Sequence, residues 1–402
     1  MTVDIEQIAQ QLHAAPSLVP FDARTLAFTH ALSRALSSDP SLRREGAVQA
    51  LAFWLRPVET RRLETHLRAV ERSESVLVPR GTVFHVPPSN VDTLFVYSWI
   101  LSLLMGNRNV VRLSQRLSGI GARVATVVET VLQDSEHADV AAGAVFVRYG
   151  HDDALTTALS ALCDVRVLWG GDAAVSSLRA LPLPPHAIEL VFPDRYSASA
   201  LHAGAVEALD ESARDALADR FANDAFWFDQ NACASPRLVA WIGDAVTADR
   251  VRGDFWQRVA AAATRRGVYS EAGTVLAKLT EAARATIDEG ATHVLTVSPE
   301  VTVVQLGTLD TLRRVAPGGG LFHDVVLPSL EALGSHLARR DQTLTVFGLS
   351  REDIVQAARH FNGRGIDRFV PVGQALAFHH VWDGYDLFQQ FTRRVHIAPQ
   401  GW

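Results

Sequence analysis

Apolar residues recur at three- and four-residue spacing, with charges between them, through residues 3–36 and 41–73. That spacing predicts two helical stretches separated at Asp39-Pro40. The period then changes. Val76-Leu77-Val78-Pro79 and Gly81-Thr82-Val83-Phe84-His85-Val86 are short β-rich runs closed by Pro87-Pro88, and they read as buried strand. Residues 90–105 are apolar almost throughout and predict a buried helix, which Ser89-Asn90 caps and Gly106-Asn107 ends. With the strand Asn109-Val110-Val111-Arg112-Leu113 this completes a βαβ unit. The alternation continues as helix 119–132, strand 143–148, helix 154–162, strand 164–169, helix 172–180 and strand 186–192. Such alternation indicates a mostly parallel sheet covered on both faces, the doubly wound arrangement that binds nucleotides at the C-terminal ends of its strands.

A second unit begins near Tyr196, with helices over 204–221 and 248–265 and strand-like runs at 238–241, 293–297, 301–306 and 343–348. A helix over 351–361 follows, and Gly363-Arg364-Gly365 breaks the chain before Arg368-Phe369-Val370-Pro371-Val372-Gly373. The boundaries expected are a first domain over 1–197, to which 374–402 returns, and a second over 198–373. No internal repeat or low-complexity tract is visible.

Length and composition narrow the function. A chain of 402 residues corresponds to about two or three domains, and 48% hydrophobic with 20% charged residues is a globular balance. The net charge of −6 and pI near 6.2 supply no electrostatic footprint for nucleic acid or an anionic membrane. Lys is very scarce and Arg carries nearly all the positive charge, against a background rich in Ala, Arg, Val and Leu. Two cysteines argue against a disulfide framework and for a reducing compartment. The acidic, amphipathic N-terminus is not a secretory signal. The longest apolar run, residues 91–105, contains Asp92 and falls short of the roughly 20 residues a membrane span requires. A cytoplasmic location is expected.

The candidate chemistry centres on Asp229-Gln230-Asn231-Ala232-Cys233-Ala234-Ser235-Pro236. It lies between the charged, helix-like run 207–221 with the aromatics Phe226-Trp227-Phe228 on one side and the apolar run 238–242 on the other. A thiol at such a junction is reachable. A lone cysteine is more often a small buried hydrophobe than a catalyst, and what changes the odds here is the order of the elements around it. Cys163, between a helix and the 165–168 strand, reads as buried filler. His379-His380 is the densest histidine pair, but neighbours on a strand or helix diverge, and no CxxC or HExxH arrangement occurs. No metal is assigned.

From about Val76 to the C-terminus these residues resemble the aldehyde dehydrogenase superfamily, and within it the acyl-CoA reductase family typified by the fatty-acid reductase of bacterial bioluminescence. The segments that carry the resemblance are Asp229-Gln230 before Ala232-Cys233-Ala234-Ser235-Pro236, and the tail of 368–372, Gly373-Gln374 and Trp382-Asp383-Gly384-Tyr385-Asp386. Gly106-Asn107 followed by Val110-Val111-Arg112 is the general superfamily element. The resemblance implies an α/β, aldehyde-dehydrogenase-like fold, a doubly wound cofactor-binding domain plus a second α/β catalytic domain.

It also implies roles. Reducing a thioester to an aldehyde needs a soft nucleophile that accepts the acyl group and leaves after hydride addition, and Cys233 is that nucleophile. In the family the oxyanion is held by the cysteine N–H and by an asparagine in a proline-rich turn. Pro87-Pro88-Ser89-Asn90 stands in that place, so Asn90 is the implied donor, with helix capping as its ordinary alternative. Superfamily members carry Lys and, three residues on, Glu at the adenosine ribose. Here Arg112, Ser114 and Gln115 occupy that strand end, and the loss of the acidic charge with a gain of guanidinium favours NADPH over NADH. The ordinary alternative is a solvated strand end. Trp169-Gly170-Gly171-Asp172 resembles the turn that approaches the pyrophosphate, although a Gly-Gly pair also marks many plain turns. Asp172 reads as the cap of the following helix.

Aldehyde-oxidising relatives hold a Glu before a glycine pair, where it activates water. The corresponding run here is Glu189-Leu190-Val191-Phe192-Pro193-Asp194-Arg195, without that pair. If Arg195 takes the place of the family's following Lys, the Glu position falls on Val191; if Glu189 is the match, the spacing is shifted by two. Glu189 is retained as an acid/base candidate. The absence of the motif favours reduction, since a thioester reductase would lose its intermediate to that water.

Gly318-Gly319-Gly320-Leu321-Phe322-His323-Asp324 could line the nicotinamide side, as a related family segment does, and the 382–386 segment reads as a packed aromatic turn. The expectation is an NADPH-dependent reductase of acyl-CoA, fatty acyl above all, or of an acyl-carrier protein, forming a fatty aldehyde. A homo-oligomer and a possible acyl-transfer partner protein are part of it. The alternatives are an aldehyde-oxidising or acyl-phosphate-reducing relative, or a catalytically silent member of an acyl-transfer complex.

Overall fold

The computed structural model describes residues 3–70, 75–88, 91, 93–315 and 317–398. The chain divides into two compact units, residues 1–194 with 378–402, and residues 195–377.

In the first unit the N-terminal apolar spacing resolves into four helices, Ile5–Ala14, Ala23–Ser38, Gly46–Trp54 and Pro57–Val70, where two stretches are expected. Local chemistry sets the breaks. Pro16 bars continuation of the first helix, the Asp22 carboxylate caps the second by accepting from Arg24 N–H at 3.0 Å, and Pro57 opens the fourth at the position that needs no N–H. Strand β1, Ser75–Pro79, pairs antiparallel with the returning segment Thr392–His396. Strands β2 (Thr82–Val86), β3 (Arg108–Ser114), β4 (Ala144–Tyr149), β5 (Val165–Trp169) and β6 (Ile188–Phe192) form a parallel sheet in the order β4-β3-β2-β5-β6. Helix Leu94–Leu104 is buried on all sides, packing on β2, β3 and Ala23–Ser38, which is why it is apolar all round. Its first turn starts at Thr93 without a capping side chain; the cap expected from Ser89-Asn90 lies outside the described residues.

One buried polar chain ties this sheet together. Trp169 Nε1 donates to Ser98 Oγ at 3.3 Å, Ser98 Oγ lies 2.8 Å from His85 Nδ1, His85 Nε2 lies 3.0 Å from Asn109 Oδ1, and Asn109 Nδ2 donates to Asn107 O at 2.8 Å. The acceptor at Asn109 fixes the neutral tautomer with the proton on Nε2. Burial pushes the His85 imidazole down from 6.5 to about 4, against a smaller upward pull from Asn109. Between those values the unfolded chain takes up a proton that the folded chain refuses, so stability is full above pH 6.5 and is lost as pH falls toward 4. The loss is on the order of 3 kcal/mol. Urea unfolding at pH 7 and pH 4.5 will show it, and His85→Gln will flatten the difference. His323 of the second unit is pushed down to about 4 by burial as well, so the contrast between wild type and variant, not the slope alone, reports on His85. Equal slopes in both proteins would refute the assignment.

The second unit carries a seven-stranded sheet. Its strands are β7 (Tyr196–His202), β8 (Pro236–Ile242), β9 (Ala291–Ser298), β10 (Val301–Leu306), β11 (Leu321–Leu327), β12 (Asp341–Phe347) and β13 (Arg368–Pro371), in the order β13-β12-β7-β8-β11-β10-β9. The edge strand β9 runs antiparallel to β10; the other pairs are parallel. Helices Glu211–Phe226 and Ala245–Arg265 pack together over one face, burying Phe221, Phe255 and Trp256 against Trp241 and Phe322. The single helix expected at 204–221 is two, Ala203–Glu207 and Glu211–Phe226, because Asp210 caps the second through Ala213 N–H at 2.8 Å. Strands β7 and β11 and the helix Ala272–Asp288 are additions to what the residue pattern predicts.

Among the described residues no helix is long and apolar enough to cross a membrane.

Candidate active site

The cysteine loop is built by the end of helix Glu211–Phe226 and the start of β8. Between them Asp229 and Gln230 both take left-handed backbone, with φ of 48° and 62°, conformations that non-glycine residues hold only when their surroundings over-determine them. Gln230 supplies that. It is fully buried, its Nε2 donates to Pro236 O and to Leu321 O at 2.9 Å each, and its Oε1 accepts from Gly320 N–H at 3.0 Å. The Asp229 carbonyl accepts from Gly319 N–H at 2.8 Å. Cys233 itself is half-buried, and its carbonyl accepts from Ser197 Oγ on β7 at 2.7 Å. Residues 229–236 are thus fastened to β7, to the start of β8 and to the entry of β11.

The segment Gly318-Gly319-Gly320 packs directly on this loop instead of running as a free surface turn. All three residues have positive φ, and a Cβ on Gly318 would come within 2.8 Å of Asn231 Oδ1 and 2.9 Å of Asp229 O, so only glycine fits there. The residues that follow are the central strand β11, where His323 and Asp324 are buried. Asp324 Oδ2 accepts from Trp241 Nε1 at 3.1 Å and from Trp256 Nε1 at 2.7 Å. His323 and Asp324 are therefore core residues of β11.

The tail motif around Gly373 has a partner that the linear order hides. Asp224, buried on helix Glu211–Phe226, accepts from Gly373 N–H at 2.6 Å and from Ala375 N–H at 2.8 Å. Burial raises its carboxyl to about 7, against the downward pull of those two bonds. A Cβ on Gly373 would meet Arg220 Cβ at 2.9 Å. The aromatics before the cysteine divide: Phe226 belongs to the core, Trp227 is 39% exposed and Phe228 is half-buried. Cys163 is buried, with its Sγ 3.1 Å from Ser160 O, and burial pushes its thiol up to about 12, far from the thiolate that reactivity requires.

In the first unit the strand order reverses between β3-β2 and β5, so the topological switch point lies where β2 and β5 end. Chain leaving β2 enters Pro87-Pro88; Asn90 lies outside the described residues. Chain leaving β5 enters Gly170-Gly171, with Gly170 N–H donating to Phe192 O at 3.1 Å. Gly171, not Asp172, is the cap position of helix Asp172–Arg179. Asp172 N–H donates to Asp194 Oδ2 at 3.2 Å, and Asp194 N–H donates to Asp172 Oδ1 at 3.1 Å. The N-terminus of this helix is therefore taken by the chain's own exposed carboxylate, and a pyrophosphate could use it only with the Asp194 side chain turned away.

At the end of β3, Arg112 Nη2 donates to Gly150 O at 2.8 Å and the guanidinium lies over the Tyr149 ring at 4.9 Å. Its Nε is buried without a hydrogen-bond partner. A half-buried guanidinium beside an exposed, neutral Gln115 offers a positive charge that suits a phosphate. Ser114 Oγ accepts from Arg116 N–H at 3.1 Å. Glu189 is the second residue of β6, where Arg166 Nε donates to Oε2 at 2.8 Å and Arg179 Nε to Oε1 at 2.9 Å. Both carboxylate oxygens are committed to guanidiniums.

Among the described residues no group of three or more His, Cys, Asp or Glu is placed to hold a metal ion. The His379 and His380 rings do not diverge: they stack at 4.4 Å, and His380 stacks in turn on Phe388 at 4.5 Å, because the chain there is neither strand nor helix. Trp382 and Tyr385 sit in a tight hairpin whose tip, Asp383-Gly384, has positive φ at both residues; Trp382 packs on Tyr97 and Tyr385 on Phe192.

Together these units define an aldehyde-dehydrogenase fold. Solved structures that share it include a lactaldehyde dehydrogenase (TM-score 0.68, 13% identity, covering 99% of this chain and 91% of that one) and lactaldehyde dehydrogenase from Escherichia coli (0.64, 13%, 99% and 92%). Glyceraldehyde-3-phosphate dehydrogenase from Methanocaldococcus jannaschii, solved in complex with NADP, shares it as well (0.64, 11%, 99% and 95%). No curated protein sequence matches the chain. Residues 49–269 match the model of the acyl-CoA reductase (LuxC) family, and the chain belongs to that family. It is an oxidoreductase of aldehyde-related chemistry.

Proposed function

We propose that the protein reduces an acyl thioester, a fatty acyl-CoA above all, to the aldehyde at the expense of NADPH, through an acyl group held on Cys233. The observation that carries this reading is the fixed, strained loop that presents Cys233 half-buried at a junction of elements. Covalent catalysis needs the nucleophile held in one geometry before substrate arrives. The Cys233 thiolate attacks the thioester carbonyl, the C–S bond to the donor breaks, and the donor thiol departs with a proton. The oxyanion is assigned to the Cys233 N–H and the Asn90 side chain. NADPH, when bound, would supply a hydride to the acyl carbon. The C–S bond to Cys233 then breaks, which releases the aldehyde and restores the thiolate.

The Arg112 guanidinium and neutral Gln115 support the 2′-phosphate of NADPH, with Ser114 on the same strand end. Gly170 and Gly171 would receive the pyrophosphate once Asp194 moves aside. No step is placed on Glu189, whose oxygens are held by Arg166 and Arg179. The proposed enzyme works as a cytoplasmic homo-oligomer, in a compartment reducing enough to keep Cys233 a thiol.

Intact-protein mass spectrometry after mixing with a panel of acyl-CoAs, without NADPH, tests this. The expected result is one acyl adduct, mapped to Cys233, that is discharged on adding NADPH and more slowly with NADH. Absence of an adduct from every acyl-CoA and acyl-carrier protein would overturn the reading; an adduct formed from acyl phosphate alone would reassign the donor.

A further inference from the structure

Lys278 is the only lysine in the chain; every other strongly basic side chain is an arginine. It lies on helix Ala272–Asp288, 1% exposed, and its Nζ donates to Pro299 O at 2.6 Å, to Gly319 O at 2.8 Å and to Ser270 Oγ at 3.3 Å. Taking an ammonium out of water is costly unless its donors are met. Three acceptors converging on one compact nitrogen suit an ammonium, whereas the planar fork of arginine cannot reproduce that geometry in the same space. In a chain that otherwise uses arginine, this is a place where geometry demands lysine.

The peptide that Lys278 grips is the one that holds the cysteine loop. In the 319–320 peptide the carbonyl accepts from Lys278, and the N–H on its other side donates to Gln230 Oε1. The preceding N–H, that of Gly319, donates to Asp229 O. A glycine peptide rotates easily, and rotation of the 319–320 peptide would break the bonds to Lys278 and Gln230 together and free the neighbouring 318–319 peptide, which bonds Asp229, to follow. Those bonds in turn hold Asp229 and Gln230 in left-handed backbone, three and four residues before Cys233.

We propose that Lys278 is a positioning residue for Cys233, locking the glycine turn that sets the conformation of the cysteine loop. This rests on the reading of Cys233 as the nucleophile. Lys278 touches neither substrate nor cofactor in this role and acts through Gly319, Gly320 and Gln230.

The test compares full-length wild type with Lys278→Met, which keeps the length and removes the donors, and with Lys278→Gln, which keeps amide donors on a shorter stem. Two rates are read well below each variant's unfolding temperature: rapid-quench acylation by acyl-CoA without NADPH, and alkylation of Cys233 by iodoacetamide, mapped by peptide and followed against pH. Lys278→Met is expected to acylate about 10- to 100-fold more slowly and to show a changed alkylation profile, with Lys278→Gln between it and wild type. A residue that only stabilised the fold would lower the unfolding temperature and leave both rates within twofold of wild type, and that result overturns the proposal. If Lys278→Met does not fold, Lys278→Gln decides on the same criterion. Wild type that fails to acylate defeats the functional reading instead, and the alkylation arm still decides the role of Lys278.

Discussion

Cys233→Ser is expected to lose both the acyl adduct and aldehyde formation, by about 10^4-fold or more, as removal of a covalent nucleophile does elsewhere. The hydroxyl of serine is scarcely ionised near neutrality and is a weak nucleophile, so acyl transfer from the thioester becomes slow, and an alkoxide is a poor leaving group from any ester that forms. The fold should survive the change. The loop is fastened through Gln230, the Asp229 carbonyl and the Cys233 carbonyl, all of which serine leaves in place. The unfolding temperature of the variant should therefore stay close to that of wild type while single-turnover acylation disappears. Reductase activity retained by a folded Cys233→Ser protein would place the chemistry elsewhere.

The second large effect is expected at Gln230, and it concerns stability. Gln230→Ala strips partners from Pro236 O, Leu321 O and Gly320 N–H, all met by one buried amide. An orphaned buried polar group costs about 1–3 kcal/mol, so with partial relaxation the sum is about 3–5 kcal/mol. For a unit of this size that corresponds to a fall of about 10 °C in unfolding temperature. Gln230→Glu should be no better near neutral pH, because it sets a carboxylate against two carbonyl oxygens, and it should recover part of the loss as pH falls and the acid regains a proton. Differential scanning calorimetry at pH 7.5 and pH 5 reads both effects. Variants that melt within a degree of wild type would show that the amide network does not hold the loop.

How far the sequence reaches is clearest where local rules suffice. Helix Arg351–Phe361 has a Ser350/Asp353 capping box and a one-sided apolar pattern, and its bounds follow from the chain alone. The parallel strands of the first unit are legible for the same reason: Val83, Val110 and Val167 belong to apolar runs that only a sheet covered on both faces can bury. The cysteine loop was legible as a motif through Asp229, Gln230 and Cys233.

Other features were settled by contacts between distant residues. Helix Ala272–Asp288 hides Lys278, Ala282 and Ala285 and exposes Leu276 at 66% and Ile287 at 81%, which inverts the usual pattern and conceals the helix from periodicity. Strand β7 is rich in Ser and Ala, weak formers of strand, and is held at the sheet centre by β8 and β12. Strand β11 carries His323 and Asp324 where apolar residues are expected; the indole N–H groups of Trp241 and Trp256 make Asp324 tolerable there.

The sequence by itself determined the alternating elements and the family and singled out Cys233 as the candidate thiol, because those depend on side-chain period, turn chemistry and short motifs. Only the tertiary structure decided what holds the loop around it, the Gln230 bonds to Leu321 and Gly320 and the Lys278 bond to Gly319, and what meets Asp224, the N–H groups of Gly373 and Ala375. Each of these pairs residues that are about forty to one hundred and fifty positions apart. A buried donor or acceptor must be met by whichever group folding brings within reach, and no local pattern records which group that will be.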